Sequence, residues 1–222
     1  MEEPGPDEAV DEGLQPVYSR IEAGDVGESN VAGRDITQIV NNYQGMDEEE
    51  LRRVVEELVQ DSVIRQLSEL GIGGQSHSEG KELTPEEEGE VDQALEEAKA
   101  VEQAGIEFDP REYITLGDAA NLRGRTFTAE GYYREAQRLC VETGDRHGES
   151  QSLTGLGQIA KIRGDLDEAE RLSREAQRLC VETGDIRGEA WSLGNLGNIA
   201  NIRGDLDEAE RLYREAQRLC VE

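Results

Sequence analysis

The feature that most constrains the fold is an internal repeat of 40 residues in the second half of the chain. Residues 148–182 align with residues 188–222, and 28 of the 35 aligned positions are identical. A more diverged copy lies 40 residues earlier, where the pair Leu116-Gly117 and Ala136 hold the same places. Self-similarity at such a period is typical of proteins in which one supersecondary unit is stacked several times. The second half is therefore predicted to be a solenoid.

The pattern within each unit predicts two helices. In the last unit the first helix is expected from about Glu189 to Arg203, and it ends at Gly204, a residue suited to the left-handed C-cap. Asp205 or Asp207 then caps a second helix. Its apolar face comprises Ala209, Leu212, Tyr213, Ala216 and Leu219. One helix pair cannot bury such a face alone, so neighbouring pairs must stack.

The last unit also places a Leu-Gly pair in its first helix, and an Ala, an aromatic residue and a second Ala in its second helix. These are Leu196-Gly197, Ala209, Tyr213 and Ala216. The pattern resembles the tetratricopeptide repeat, in its variant of about 40 residues, and the resemblance covers residues 110–222. It implies a mainly α fold, an α-solenoid of three repeats whose first helices line a concave groove that holds peptides.

Two departures from the family pattern predict looser packing. Ala120, Ala160 and Ala200 stand where the first helix of the family usually carries an aromatic residue. The middle repeat also lacks the aromatic residue of the second helix and has Ser173 there.

Differences between the two near-identical repeats indicate where a partner binds. Six of the seven differing positions lie in the first helix, and the register of the resembled family turns five of them toward the groove. Together with the counterparts in the first repeat, the candidate groove residues are Arg111, Asp118, Asn121, Gln151, Thr154, Gln158, Lys161, Trp191, Asn195, Asn198 and Asn201. Asn side chains both donate and accept hydrogen bonds, which suits a peptide backbone. Trp191 suits an aromatic anchor or ordinary packing against the next repeat. Neutral variation on an exposed face is the alternative for the whole set.

The first half has a different organisation. We expect a disordered acidic tail at residues 1–16, a short β segment at 17–45, an amphipathic helix at 46–71, a linker at 72–83 and a helix capping the solenoid at 84–109. Residues 30–36 loosely resemble short Gly-Asp-rich β motifs of multidomain signalling NTPase proteins. Strands this few are marginal alone, so the segment is predicted to mediate self-association through Val31, Ile36, Ile39 and Val40. At the other end, Leu212, Tyr213 and Leu219 are expected to be exposed. Either they pack against another copy, or the chain is a fragment of a longer repeat array.

Charge restricts the partners. The net charge is −28, and residues 1–109 carry 30 acidic against 7 basic side chains. A surface this negative repels nucleic acid and anionic lipid, so neither is predicted as a partner. No apolar run approaches the ~18 to 20 residues of a membrane span, and the acidic N-terminus lacks signal-peptide features, which predicts a cytoplasmic protein. The acidity fits either adaptation to high salt or a basic ligand.

Residues for catalysis or metal binding are not arranged in a recognisable pattern. Cys140, Cys180 and Cys220 recur at the same repeat position, as small packing residues do. His77 falls in the linker and His147 in a turn. The glycines of residues 71–74 are not followed by the Lys-Ser/Thr of a phosphate loop. We therefore predict no cofactor, no metal and no enzyme. The favoured function is a scaffold that binds a protein or peptide. A structural homo-oligomer and a sensor arm of a signalling or defence NTPase are the alternatives.

Overall fold

A computed structural model of the chain describes residues 60–73, 82–103 and 107–220. These residues fall into two compact units. One contains residues 60–66, 92–103 and 107–108, and the other contains residues 67–73, 82–91 and 109–220. The predicted acidic tail, the β segment and its residues Val31, Ile36, Ile39 and Val40 lie outside the described residues. So do most of the linker and the start of the amphipathic helix.

Among the described residues, two helices precede the repeats. Residues 60–69 form α1, and the turn that follows it contains Gly71, with a positive φ of 70°. Pro85–Gln103 forms α2, close to its predicted extent. At the start of α2 the backbone N–H of Thr84 donates to the carboxylate of Glu87 at 2.8 Å, and the backbone N–H of Glu87 donates to the hydroxyl of Thr84 at 3.3 Å. Two backbone donors that have no acceptor within the helix are thereby satisfied. In the first compact unit the buried side chains are Val63, Ala94, Leu95, Ala98, Val101 and Phe108.

The repeats are three helix pairs. The first pair is α3, Pro110–Leu122, with α4, Thr126–Thr143. The second pair is α5, Arg146–Arg163, with α6, Leu166–Thr183. The third pair is α7, Ile186–Arg203, with α8, Leu206–Leu219. The described part of the chain contains no strand. The prediction of a mainly α, tetratricopeptide-type solenoid is confirmed.

Recurring caps set the helix ends. Asp145, Asp165, Asp185 and Asp205 each accept a hydrogen bond from the backbone N–H three residues ahead. Asp185 therefore starts α7 three residues earlier than the predicted start at Glu189. Of the two candidate caps for α8, Asp205 performs that role, because Glu208 N donates to its Oδ1 at 3.2 Å. Gly204 ends α7 with a φ of 82°, as predicted.

The helices stack in sequence order. Each second helix packs against the first helix of its own repeat, and α4 and α6 also pack against the first helix of the next repeat. The first helices α3, α5 and α7 contact one another in series. Fully buried Leu116, Leu153, Leu179 and Leu193 belong to the resulting core. None of the helices in the described ranges is both long and apolar enough to cross a membrane.

Junctions between repeats depend on matched side-chain size. A β-carbon added at Gly117 would lie 2.5 Å from the ring of Tyr133, and one added at Gly155 would lie equally close to the same ring. Tyr133 of α4 therefore fills a notch made by a glycine of its own repeat and a glycine of the next. It is 1% exposed.

The second junction uses a different pair at the equivalent positions. Ser173 replaces the tyrosine and Asn195 replaces the glycine of the following repeat. Both are buried, at 3% and 6% exposure. The expectation of looser packing at Ser173 stays a prediction, and the larger side chain of Asn195 at the equivalent position of the next repeat is expected to compensate for the smaller one. Ala120, Ala160 and Ala200 are buried as well.

Candidate interaction surface on the first helices

The candidate groove residues occupy one face of the first helices, but their exposure differs. Gln151, Gln158 and Lys161 are half-buried on α5, and Trp191 and Asn198 are half-buried on α7. Arg111 and Asn201 are exposed. These side chains have surface available to a ligand. Their role in binding stays a prediction.

Two of the predicted groove residues are instead largely buried. Thr154 is 8% exposed and its hydroxyl donates to the carbonyl oxygen of Ser150 at 2.9 Å. Asn195 lies at the second junction with 6% exposure. Both side chains contribute to packing, because the neighbouring repeat covers the part of the helix from which they project.

A tyrosine of the second helix holds one groove position in the outer repeats. The hydroxyl of Tyr133 donates to Asp118 Oδ1 at 2.8 Å, and the hydroxyl of Tyr213 donates to Asn198 Oδ1 at 2.7 Å. Burial raises the pKa of Asp118 to about 6, although the hydrogen bond from Tyr133 lowers it. Burial and the charge of Asp118 in turn raise the pKa of Tyr133 well above its usual value.

Asn121 offers an unused acceptor at the end of α3. Its Oδ1 is buried, and no hydrogen-bond partner for it lies among the residues that the structure describes. A buried polar atom without a partner is unfavourable by about 1 to 3 kcal/mol, so a donor supplied by a ligand would be stabilising at this position.

The structure brings three predicted residues together in a small cleft between repeats two and three. Gln151, Thr154 and Trp191 line it. The other lining residues are His147, Ser150, Cys180, Asp185, Arg187 and Gly188. Imidazole Nδ1 of His147 lies 3.2 Å from Asp185 Oδ2, so the start of α5 contacts the cap of α7.

His147 and Arg187 were not among the predicted groove residues. His147 was assigned to a turn, whereas it lies in the first turn of α5. The spacing could have identified it, because residues 147, 151 and 154 follow the i, i+4, i+7 pattern of one helix face. No comparable spacing in the sequence could have identified Arg187 of α7. Its place in the helix depends on where α7 begins, and the structure of the preceding turn decides that.

The cysteines are free thiols. Cys140 and Cys180 are buried at successive junctions, against Gly148 and Gly188 of the next repeat. Burial raises the pKa of Cys140 to about 11, and the nearby charges of Asp145 and Glu149 add to the effect. Burial also raises the pKa of Cys180. Thiols in this state are poor nucleophiles. Within the described ranges, no group of three His, Cys, Asp or Glu side chains could hold a metal ion.

The residues predicted for self-association at the end of α8 are not equally available. Tyr213 is 39% exposed and Leu219 is half-buried. Leu212 is 6% exposed, because it packs with Leu193 and Leu196 in the core of its own repeat. The expectation that Leu212 is exposed is therefore wrong.

Comparisons with known proteins agree with the fold. The sequence profile of the family described as "Tetratricopeptide repeat" matches residues 113–180 and 158–220. Among solved structures, the chain is similar to the crystal structure of BtubC (BKLC) from P. vanneervenii, with 17% identity and a TM-score of 0.53 over 97% of this chain and 92% of that chain. At this identity the similarity concerns the fold alone. No curated protein matches the sequence.

Proposed function

Because residues 113–220 belong to the tetratricopeptide repeat family, whose repeats generally mediate protein–protein interaction, we propose that this chain is a non-catalytic, cytoplasmic scaffold. Its first helices bind a peptide or protein partner. The partner contacts the groove surface, which we define as Gln151, Gln158, Lys161, Trp191, Asn198 and Asn201.

The observation that carries the proposal is where the repeats differ. Six of seven differences between the second and third repeats lie in the first helix, while the second helices differ only at Ser173 and Tyr213. Three of the six pairs are half-buried or exposed, namely Gln151 with Trp191, Gln158 with Asn198, and Lys161 with Asn201. Packing alone does not require such changes, since these side chains retain surface. Different groove contacts from one repeat to the next would account for them.

The repeats themselves supply the test. The variant Trp191→Gln/Asn198→Gln/Asn201→Lys gives the third repeat the groove surface of the second, with residues that the fold already accommodates. Arg178→Gln is the matched control, because Arg178 is exposed on the second helix α6. Wild-type chain, triple variant and control are used as bait in lysate of the native host, and bound proteins are identified by mass spectrometry.

A partner retained by wild type and by Arg178→Gln, but lost from the triple variant, is the expected result. Circular dichroism must give the three chains the same helical signal. A partner that binds the triple variant as tightly as the wild type would contradict binding through the groove surface.

A structural homo-oligomer is the second candidate. The exposure of Tyr213 favours it, whereas the burial of Leu212 leaves fewer side chains for an interface. We expect light scattering of the full chain to separate the two candidates. If the wild-type chain has a mass above that of one chain, and Tyr213→Ser lowers this mass, self-association through α8 is favoured. A single-chain mass for both the wild type and the variant would exclude it.

A further inference from the structure

We propose that the first repeat holds an arginine side chain of the partner, through the carboxylate of Asp118 and the side-chain oxygen of Asn121 on α3. The inference rests on the proposed scaffold function and deepens it, because it assigns a chemical class to one residue of the partner. Both side chains are half-buried, so each retains surface that a ligand can reach. Residues three positions apart are neighbours on one face of a helix, so one group can contact both.

The negative charge of Asp118 is not needed for packing. The hydroxyl of Tyr133 donates to Asp118 Oδ1 at 2.8 Å, and in the third repeat the hydroxyl of Tyr213 donates to Asn198 Oδ1 at 2.7 Å. A neutral amide therefore accepts the same hydrogen bond at the equivalent position. The carboxylate adds a charge to this position that the hydrogen bond itself does not require.

This charge has no counterion in the part of the chain that the structure describes. Burial raises the pKa of Asp118 to about 6, and the other group that acts on it is the hydroxyl of Tyr133, not a basic side chain. The carboxyl group is still ionised at neutral pH, because the pH then lies above its pKa. A partly desolvated carboxylate without a cation is unfavourable. A cation supplied by a ligand would therefore be stabilised at Asp118.

The surroundings of Tyr133 hold the carboxylate in place. The tyrosine ring is 1% exposed and lies against Gly117 of its own repeat and Gly155 of the next. Its hydroxyl occupies Oδ1 of Asp118, which leaves Oδ2 to accept from a ligand. An acceptor that is already fixed loses little conformational freedom when a ligand binds, so the position favours binding.

Asn121 supplies a second acceptor, which favours a guanidinium group. Its Oδ1 accepts no hydrogen bond from the described residues. The last torsion of an asparagine side chain is broad and roughly two-fold, so half a turn of the amide can present this oxygen to the groove. A guanidinium carries five N–H donors in a planar fork and is less strongly hydrated than an ammonium group. Arginine therefore fits the two acceptors better than lysine does.

The other two repeats lack this combination. The equivalent positions carry Gln158 and Lys161 in the second repeat and Asn198 and Asn201 in the third. The ammonium group of Lys161 would repel a guanidinium, and the two asparagines carry no charge. An arginine of the partner is therefore expected at α3, and its place there would set the register of the partner along the first helices.

The test uses short peptides and the isotope-labelled full chain, so the natural partner is not needed. Acetyl-Gly-Arg-Gly-amide is titrated into the chain and followed by NMR, and the citrulline peptide is its neutral counterpart. The net charge of −28 attracts any cation. The decisive variant is therefore the exchange Asp118→Asn/Asn198→Asp, which keeps the net charge and moves the carboxylate to α7. Asp118→Asn is compared with Glu182→Gln, which removes one charge from an exposed site on α6.

In the wild-type chain the arginine peptide is expected to shift the amide signals of α3 around Asn121, and the citrulline peptide to leave them unchanged. Asp118→Asn should weaken binding about tenfold, because a hydrogen bond to a charged group is lost. Glu182→Gln should bind as the wild type does. In the exchange variant the shifted signals should move to α7, around Asn201.

Several results would overturn the proposal. These are equal shifts from the two peptides, the same α3 shifts in the wild type and the exchange variant, and no shift of the α3 signals at millimolar peptide. The unperturbed spectrum of each variant shows whether it is folded as the wild type is. Failure here leaves the scaffold function standing, because the pull-down with the triple variant tests side chains of the second and third repeats only.

Discussion

The second helices of repeats two and three have almost the same sequence but different surroundings. Residues 166–179 of α6 align with residues 206–219 of α8. The two stretches differ at one position, which is Ser173 in α6 and Tyr213 in α8. Leu179 is fully buried in α6, whereas its counterpart Leu219 is half-buried in α8. Cys180 is 2% exposed, and Cys220 is exposed. The comparison teaches that the next first helix, and not the second helix itself, determines how well this face is buried.

The largest expected effect comes from removing the same side chain in both environments. Tyr133→Ser should destabilise the chain by about 3 to 5 kcal/mol, because it leaves a cavity between two glycines. Tyr213→Ser should cost about 1 kcal/mol, because its ring is already partly in solvent. Urea unfolding of the full chain, followed by circular dichroism, measures both. Equal losses would mean that the two tyrosines have the same surroundings.

A reciprocal change tests whether the junctions are matched in size. Gly155→Asn should destabilise the first junction by about 1 to 3 kcal/mol, since the amide overlaps the ring of Tyr133. The double variant Tyr133→Ser/Gly155→Asn recreates the second junction. It should lose less stability than the sum of the single variants, with a coupling of about 1 kcal/mol or more. Additive losses in the urea experiment would argue against size matching.

Asp118 and Asn198 extend the comparison to the groove positions. The pKa of Asp118 is raised to about 6 from 3.8, so its contribution is most favourable below pH 4 and is lost as the pH rises through 6. Asp118→Asn keeps an acceptor for Tyr133, as Asn198 does for Tyr213. It should stabilise the chain by about 1 to 3 kcal/mol at pH 7.5, because a shift of about two pKa units corresponds to about 3 kcal/mol, and it should have little effect near pH 4.

Thermal unfolding of wild type and Asp118→Asn at the two pH values measures this difference. Asn198→Asp is the matched control and should destabilise the chain less than Asp118→Asn stabilises it, because Tyr213 is exposed. A gain that is the same at both pH values would show that ionisation of Asp118 is not its cause.

The smallest effect concerns the salt bridges between repeats. Arg203→Ala removes the contacts of α7 with Asp167 and Glu170. An exposed ion pair contributes about 0.2 to 1 kcal/mol, so a loss near 0.5 kcal/mol that shrinks in high salt is expected in urea unfolding. Arg178→Ala, which breaks only an ion pair within α6, serves as the control. A loss of several kcal/mol would assign Arg203 a packing role.

The repeat period and the turn residues were sufficient to predict the helix pairs. Gly204 ends α7 as predicted, because a left-handed C-cap is a local property of the sequence. The start of α7 was missed by three residues, since the hydrogen bond that Gly188 N donates to the side chain of Asp185, at 2.9 Å, depends on a geometry that the sequence pattern does not show.

The candidate groove was harder to predict than the fold. Helical spacing selected Gln151, Gln158 and Asn201, which retain exposed surface, but it could not separate them from Thr154 and Asn195, which are buried. Leu212 was misplaced for a similar reason. Its periodicity defined an apolar face, whereas the packing within the third repeat decided which part of that face is covered.

Labelling of the three cysteines tests the central comparison most directly, because they occupy the same position in successive repeats. The account predicts that Cys220 reacts with a thiol reagent at the rate of an exposed thiol. Cys140 and Cys180 should react at least about 100-fold more slowly, because each becomes accessible only when its junction opens. Mass spectrometry of tryptic peptides assigns the three rates. Similar rates for Cys180 and Cys220 would contradict the account, because the first helix of the next repeat would then give no protection.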